Sequence, residues 1–192
     1  MKKVAIGART ILYPLPTVLV GANVNERANF MAVAWCGIVN SRPPMLSVSL
    51  QYPRYTLKGI RQNNTFSVNI PSIDIVVETD YCGVVSGTEN DKVDACKFSI
   101  FYGKLGNAPL INECPINIEC RVVQTISLPS HEHIIGQIEE IYGSDTCLTE
   151  GEPDIAKINP FLWTARPRNE YWTFGRSLGK AFDIGNRIKE KA

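Results

Sequence analysis

The chain has almost no excess of either charge: 20 Lys and Arg stand against 19 Asp and Glu, a net charge of +1. Proteins that bind nucleic acid or another polyanion usually carry a basic surplus or stripe, so no nucleic-acid partner is expected. No apolar run approaches the roughly 18–20 residues that cross a bilayer, so no membrane partner is expected either. Near the N-terminus, Val4–Gly21 is interrupted by Arg9, Pro14 and Pro16, which denies it the unbroken apolar core of a secretory signal. The expected location is therefore the cytoplasm. Histidine is scarce, with two residues, and the six cysteines at Cys36, Cys82, Cys96, Cys114, Cys120 and Cys147 form no CxxC pair. Zinc and iron–sulfur sites lose their usual spacing, no metal site is expected, and reduced, packed thiols are the reading that fits a reducing compartment. Neither a strand–GxGxxG–helix run nor a Walker A loop occurs, since Gly83–Gly87 and Gly175–Gly179 have the wrong spacing. GxSxG is missing too, which disfavours a hydrolase.

What remains is the composition of an ordinary globular protein, 44% hydrophobic and 20% charged. A length of 192 residues suits one domain, residues 1–192. Strand signals dominate. Thr17–Ala22 is short, apolar and β-branched; Phe30–Cys36 follows; Met45–Leu50 and Phe66–Ile70 alternate with period two. Further strands are expected at Lys97–Tyr102, Ile116–Ser127 and His133–Tyr142. Between them, Arg54–Gln62 reads as a short helix with Pro53 at its start, and Ile73–Val84 as a second, with Asp74 near its positive end. Ser86–Asp94 and Glu150–Pro160 read as loops, and Ser177–Lys189 as a terminal helix weakened by Gly179 and Gly185. Mostly strands with short helices means an antiparallel barrel or sandwich.

Two stretches carry chemical potential. In Asn29–Trp35, the small side chains of Ala32 and Ala34 either let a planar ring approach the backbone or pack beneath a helix. In Ser49–Thr56, the groups of Ser49, Arg54 and Thr56 stand beside a helix N-terminus, where unpaired amides and the helix dipole favour an anion. A surface helix with an exposed Arg is the alternative.

The ordered series ANFMAVAW (28–35), SRPPMLSVSL (41–50), PRYTLKGI (53–60), NNTFSVNI (63–70) and SGTENDKVD (86–94) resembles the flavin reductase-like domain family. The ending from Glu170 to Phe182 looks like that of its flavoredoxin branch. The resemblance runs from about Leu15 to Phe182 and implies a mainly β, FMN-binding split barrel that forms a homodimer. It implies ring contacts from Asn29, Met31, Ala32, Val33, Ala34 and Trp35, and a ribityl phosphate held along Ser49, Leu50, Gln51, Arg54, Tyr55 and Thr56. Ser86, Gly87 and Lys92 would close over the cofactor, and a positive Lys92 near the ring would stabilise reduced flavin. His131, five residues before Gly136, matches a family histidine bordering the donor or acceptor; here His133 follows it, so either could serve. Tyr171 and Trp172 would pack in the core, at an interface or as a lid, and Cys36 adjoins the ring strand. The function so implied is an oxidoreductase that passes electrons from NAD(P)H or a redox protein through FMN to a small-molecule or protein acceptor. A pure electron carrier and a flavin-free binding module are the alternatives.

Overall fold

The chain rolls one antiparallel sheet into a barrel whose two edges are consecutive in sequence. The computed structural model describes residues 1–191. After a short β1 (Leu15–Pro16) come β2 (Val18–Val24), β3 (Arg27–Val33), β4 (Cys36–Ser41), β5 (Pro44–Gln51) and β6 (Thr65–Ile70), with α1 (Tyr55–Asn63) before β6. Helices α2 (Val76–Val84) and α3 (Lys92–Cys96) precede the small pair β7 (Ile100–Tyr102) and β8 (Pro109–Ile111). Two long strands follow, β9 (Ile116–Ser127) and β10 (His131–Gly143). Beyond them lie the β11 (Leu148–Thr149) and β12 (Glu152–Pro153) hairpin, the single turn α4 (Ile155–Ile158), and β13 (Phe161–Thr164) with β14 (Glu170–Thr173).

The seven-stranded sheet runs β3-β2-β6-β9-β10-β5-β4, antiparallel throughout. Its edges, β3 and β4, are separated only by Ala34 and Trp35. The Trp35 carbonyl accepts from the Ser49 N–H at 2.9 Å, so the link itself pairs with β5. A sheet whose last strand is the covalent continuation of its first must curl. The interior is filled by Val20, Met31, Leu46, Val48, Phe66 and Ile134, among others. On the outer side of β2 and β3, a second cluster of Leu19, Phe30, Cys82, Phe98, Ile111 and Cys114 is shared with α2. Because β2 is buried on both faces, it reads as an apolar run rather than an alternation. Helix α1 lies close on β2 through Gly59, where a Cβ would come within 2.9 Å of the Val24 side chain. A three-stranded sheet, β1-β13-β14, stands apart from the barrel sheet.

Several boundaries differ from the sequence reading. The expected Phe30–Cys36 strand breaks after Val33. Arg54 is the N-cap of α1, so Pro53 sits outside the helix. Ile73–Val84 opens with a 3-10 turn, Ile73–Ile75, whose start is capped by Ser72. The expected loop Ser86–Asp94 holds the start of α3, because the Asp91 carboxylate accepts from the N–H groups of Val93 and Asp94 and turns the chain helical. The Asp94 N–H holds the Asp91 carboxyl below its usual range, with Arg27 adding to it. In the same way Asp154 caps α4 inside the expected loop Glu150–Pro160. The expected Lys97–Tyr102 strand shortens to Ile100–Tyr102, since Lys97 takes a left-handed φ of 54°. No α-helix spans Ser177–Lys189; a 3-10 segment covers Ile184–Lys191, and Gly179 has φ 143°, outside any helix. No helix among the described residues is long and apolar enough to cross a membrane.

Gly136, on β10 beside a register shift, is a tight point of the barrel core: a Cβ there would meet Phe66 at 2.6 Å and Cys120 at 2.9 Å. Gly136→Ala is expected to destabilise the fold by about 1–3 kcal/mol, the usual cost of overpacking a core. Gly37→Ala on the β4 edge, where a Cβ meets nothing within 4 Å, should stay within about 0.5 kcal/mol. Urea unfolding of both variants checks the pair, and equal midpoints would contradict the packing.

Candidate functional site

The largest opening is a cleft of about 950 Å³ over the barrel's outer surface at the β3–β4 link. One wall is the chain from Met31 to Trp35, facing Ser49 and Gln51 of β5 and His131 of β10. Strand alternation explains this choice: Leu46, Val48 and Leu50 of β5 point into the barrel, leaving Ser49 and Gln51 on the outside. Leu50 is therefore a core residue, and only its main chain is near the cleft face. Ala32 serves both readings made of it. It lines the cleft, and it lies 3.2 Å from where a Cβ on Gly83 of α2 would stand.

The two histidines part company. The His131 ring stacks on Trp35, with centroids 4.5 Å apart and an interplanar angle of 25°, and its Nδ1 lies 2.8 Å from Ser130 Oγ. That leaves Nε2 as the nitrogen without a protein partner among the described residues. His133 instead places Nδ1 2.7 Å from Ser49 Oγ and does not line the cleft.

A smaller cavity of about 220 Å³ at the N-terminus of α1 adjoins the cleft, sharing Met31, Gln51 and Arg54 with it. Here the sequence-predicted Arg54, Tyr55, Thr56, Ser86, Gly87 and Lys92 converge from α1, the loop after α2, and α3. No side chain caps α1, and its first turn carries no acid. The end is thus electropositive and open to an anion. Arg54 is steadied by donating from Nη1 to the Gly83 carbonyl at 3.2 Å. Asn29 is buried behind this cavity: its Nδ2 donates to Thr56 Oγ1 at 2.7 Å, which leaves the Thr56 hydroxyl proton free to donate outward. Gly87 is needed where it is, since a Cβ would strike the Asn29 amide and come within 2.8 Å of the Tyr55 ring.

Lys92 is buried, and its Nζ donates to the carbonyls of Phe30 at 2.9 Å and Cys82 at 2.8 Å. Two of its three protons therefore tie α3 to β3 and α2, and burial lowers its pKa. It lines the small cavity with Arg54, Thr56 and Ser86, and it is not among the residues of the large cleft. Tyr171 and Trp172 also lie outside the cleft. Tyr171 donates to Asp80 at 2.8 Å and packs edge-on to Phe161, and burial raises its pKa. Trp172 is exposed, on β14. The Cys36 side chain packs against the barrel core, and burial pushes its pKa up to about 12.

Sequence reasoning missed the opposite wall: Arg9, Thr10 and Ile11 from the N-terminal segment, and Trp163, Ala165, Arg166, Pro167 and Asn169 around the β13–β14 turn. Tyr13 holds these pieces together, donating to the carbonyls of Ala165 at 3.2 Å and Arg166 at 3.0 Å, across 152 residues of sequence in the first case. No periodicity marks such a pairing. The nearest signal was a cluster of unassigned arginines beside a proline. Among the described residues, three arginines and one histidine line the cleft, and no carboxylate does.

The family model described as "Flavin reductase like domain" matches residues 9–166. The fold superposes on the crystal structure of flavoredoxin from Methanosarcina acetivorans with a TM-score of 0.94, at 44% identity over 98% of this chain and 100% of that one. Flavoredoxin of Desulfovibrio vulgaris (Miyazaki F) gives 0.89, at 37% identity over 96% and 100%. FMN reductase (NADH) RutF of Acinetobacter baylyi is 23% identical over 124 residues, 65% of this chain and 63% of that protein.

Burial also raises the Cys82 pKa to about 12. With folded pKa values near 12 for Cys36 and Cys82, thiolate at pH 8 is about one part in ten thousand, and it is the thiolate that reacts. Both are expected to resist iodoacetamide at pH 8 in the folded protein and to label once urea is added, as peptide mass spectrometry would report. Rapid labelling of folded Cys36 would return it as a redox candidate.

Proposed function

The chain belongs to the flavin reductase-like domain family, and on that footing we propose that it is an FMN-binding oxidoreductase. In this reading it takes electrons from NAD(P)H or a redox partner and passes them to a flavin, metal or protein acceptor. The observation that carries the reading is the joining of two spaces: an uncapped helix end with Arg54, and a flat-walled cleft floored by Ala32 and Ala34. The residues fit the cofactor. A phosphate suits the acid-free first turn of α1, where Arg54, Thr56 and Ser86 can donate to it. A planar ring suits the small side chains of Ala32 and Ala34, and Ser49 and Gln51 offer polar groups to it. One buried polar atom, Thr17 Oγ1, has no partner among the described residues; it stands next to Val18, the ladder partner of Val33. When bound, FMN supplies the two-electron chemistry, so no acid–base pair on the protein is required.

Each side chain then has a physical task. Arg54 and the α1 end neutralise the phosphate, while Asn29 and Lys92 hold the cavity's walls. His131, clamped by Trp35 and Ser130, leaves Nε2 to hydrogen-bond a ligand in the cleft. The likeness to flavoredoxins favours a second reading, a carrier that exchanges electrons only with proteins. A homodimer belongs to the same proposal: β4 ends the sheet with Ile38 and Val39 in solvent, 72% and 47% exposed, an edge suited to a second copy. The cytoplasm suits six cysteines that form no disulfide.

Purified protein is expected to be yellow, or to become so with FMN, and to bleach within seconds when NADH or NADPH is added without oxygen. Negligible bleaching with both would leave the carrier reading; a preparation that stays colourless with FMN would sink both. Arg54→Ala should weaken FMN binding at least about ten-fold, equivalent to about 1.4 kcal/mol, read by flavin fluorescence quenching. Unchanged affinity would move the phosphate elsewhere.

A further inference from the structure

We propose that the wall of the cleft facing β3 selects an oxyanion, so that the second ligand, stacked over the flavin, is a planar small molecule bearing a carboxylate or phosphate. This rests on the flavin reading above and adds the charge class of the ligand. Its basis is the composition of the cleft. Arg54 lies at the end shared with the phosphate cavity, whereas Arg9 and Arg166 belong to the other wall. No Asp or Glu lines the cleft to offset them.

Neighbouring charges sharpen the point. Arg168, on the same turn as Arg166, is paired with Glu170 at 3.7 Å. Arg9 and Arg166 take part in none of the ion pairs among the described residues. Of the two arginines on this turn, the one that lines the cleft is therefore the one without an ion pair. Cations gathered at one cleft raise its positive potential and concentrate anions there. A guanidinium is also suited to the paired oxygens of a carboxylate or phosphate.

The geometry is prearranged rather than loose. Through its two hydrogen bonds to the Ala165 and Arg166 carbonyls, Tyr13 fixes the N-terminal segment carrying Arg9 to the turn carrying Arg166. Two aromatic surfaces complete the lining: Trp163 on this wall and the Trp35–His131 stack. Planar ligands are favoured between such surfaces. A volume of about 950 Å³ is at the upper end of the roughly 300–1,000 Å³ usual for small-molecule sites, room enough for a ring and a second molecule.

The test uses FMN-loaded protein titrated at pH 7 with benzoate and with benzamide, which match in shape and differ in charge. Perturbation of the flavin absorption band gives the two dissociation constants. Benzoate is expected to bind at least ten-fold more tightly. Arg166→Ala and Arg9→Ala should each reduce that ratio, the double variant should abolish it, and Arg166→Lys should keep part of it. FMN affinity should be the same in all four, which also reports that they fold. Equal binding of the two probes, or a preference that survives in the double variant, overturns the proposal. Should the wild type not hold FMN, the flavin reading fails instead, and calorimetry of the same probes on the flavin-free protein still decides the charge preference. Competition with ADP-ribose separates two sources of the oxyanion. Displacement of benzoate assigns the arginines to the pyrophosphate of a nicotinamide donor, and no displacement assigns them to an acidic acceptor.

Discussion

Everything in this molecule hangs on the two-residue link, Ala34–Trp35, between the first and last strands of one sheet. Because β3 and β4 are consecutive in the chain and opposite in the sheet, the sheet has to close around its apolar face. The closure does two things at once. It gives Met31, Val48, Phe66 and Ile134 a common interior. It also carries the short link across the outside, where Ala34 is small and Trp35 stacks on His131, beside Ser49. A cleft at that link is a consequence of the topology, and so is its flat floor.

The groups expected to do chemistry divide, in the folded protein, into those that face the cleft and those that hold it. Lys92 belongs largely to the second kind: a buried ammonium bonded to two carbonyls is an internal tie between α3, β3 and α2. Asn29 behaves likewise, spending its amide on Thr56. Both obey the rule that a buried polar group must find partners or cost several times what it returns. The groups left facing the space are Arg54 at the helix end and His131 on its tryptophan. The redox chemistry proposed there would make few demands on protein acids and bases, which agrees with a chain that has two histidines and thiols kept protonated by burial.

Charge is arranged with similar economy. The chain as a whole is almost neutral, yet the cleft collects arginines without a carboxylate, while Arg27, Arg61, Arg121 and Arg168 are each paired elsewhere. Net charge therefore says little about the cleft; the distribution of partners does.

The strands were legible in the sequence because their signal is local. A period-two alternation in Met45–Leu50 and Phe66–Ile70 states which residues are inside whatever the neighbours are. The ordered motifs from Ala28 to Asp94 likewise sit close together along the chain, so the helix-end cavity and one wall of the cleft were readable. Short helices such as α3 and α4 were not, since a single aspartate cap decides them against a polar, loop-like composition. The roles of Lys92 and of the two histidines also escaped, because burial and partner choice depend on atoms far off in sequence. The second wall of the cleft was beyond reach altogether. Residues 9–13 and 163–169 are brought together by Tyr13 and by the pairing of β1 with β13, contacts between segments at opposite ends of the chain. By itself, then, the sequence determined the main strands and an antiparallel, mainly β class through local patterning, while the barrel came from the resemblance carried by the ordered motifs. Tertiary structure alone decided the second wall and its unpaired arginines, because bringing distant segments together is what folding adds.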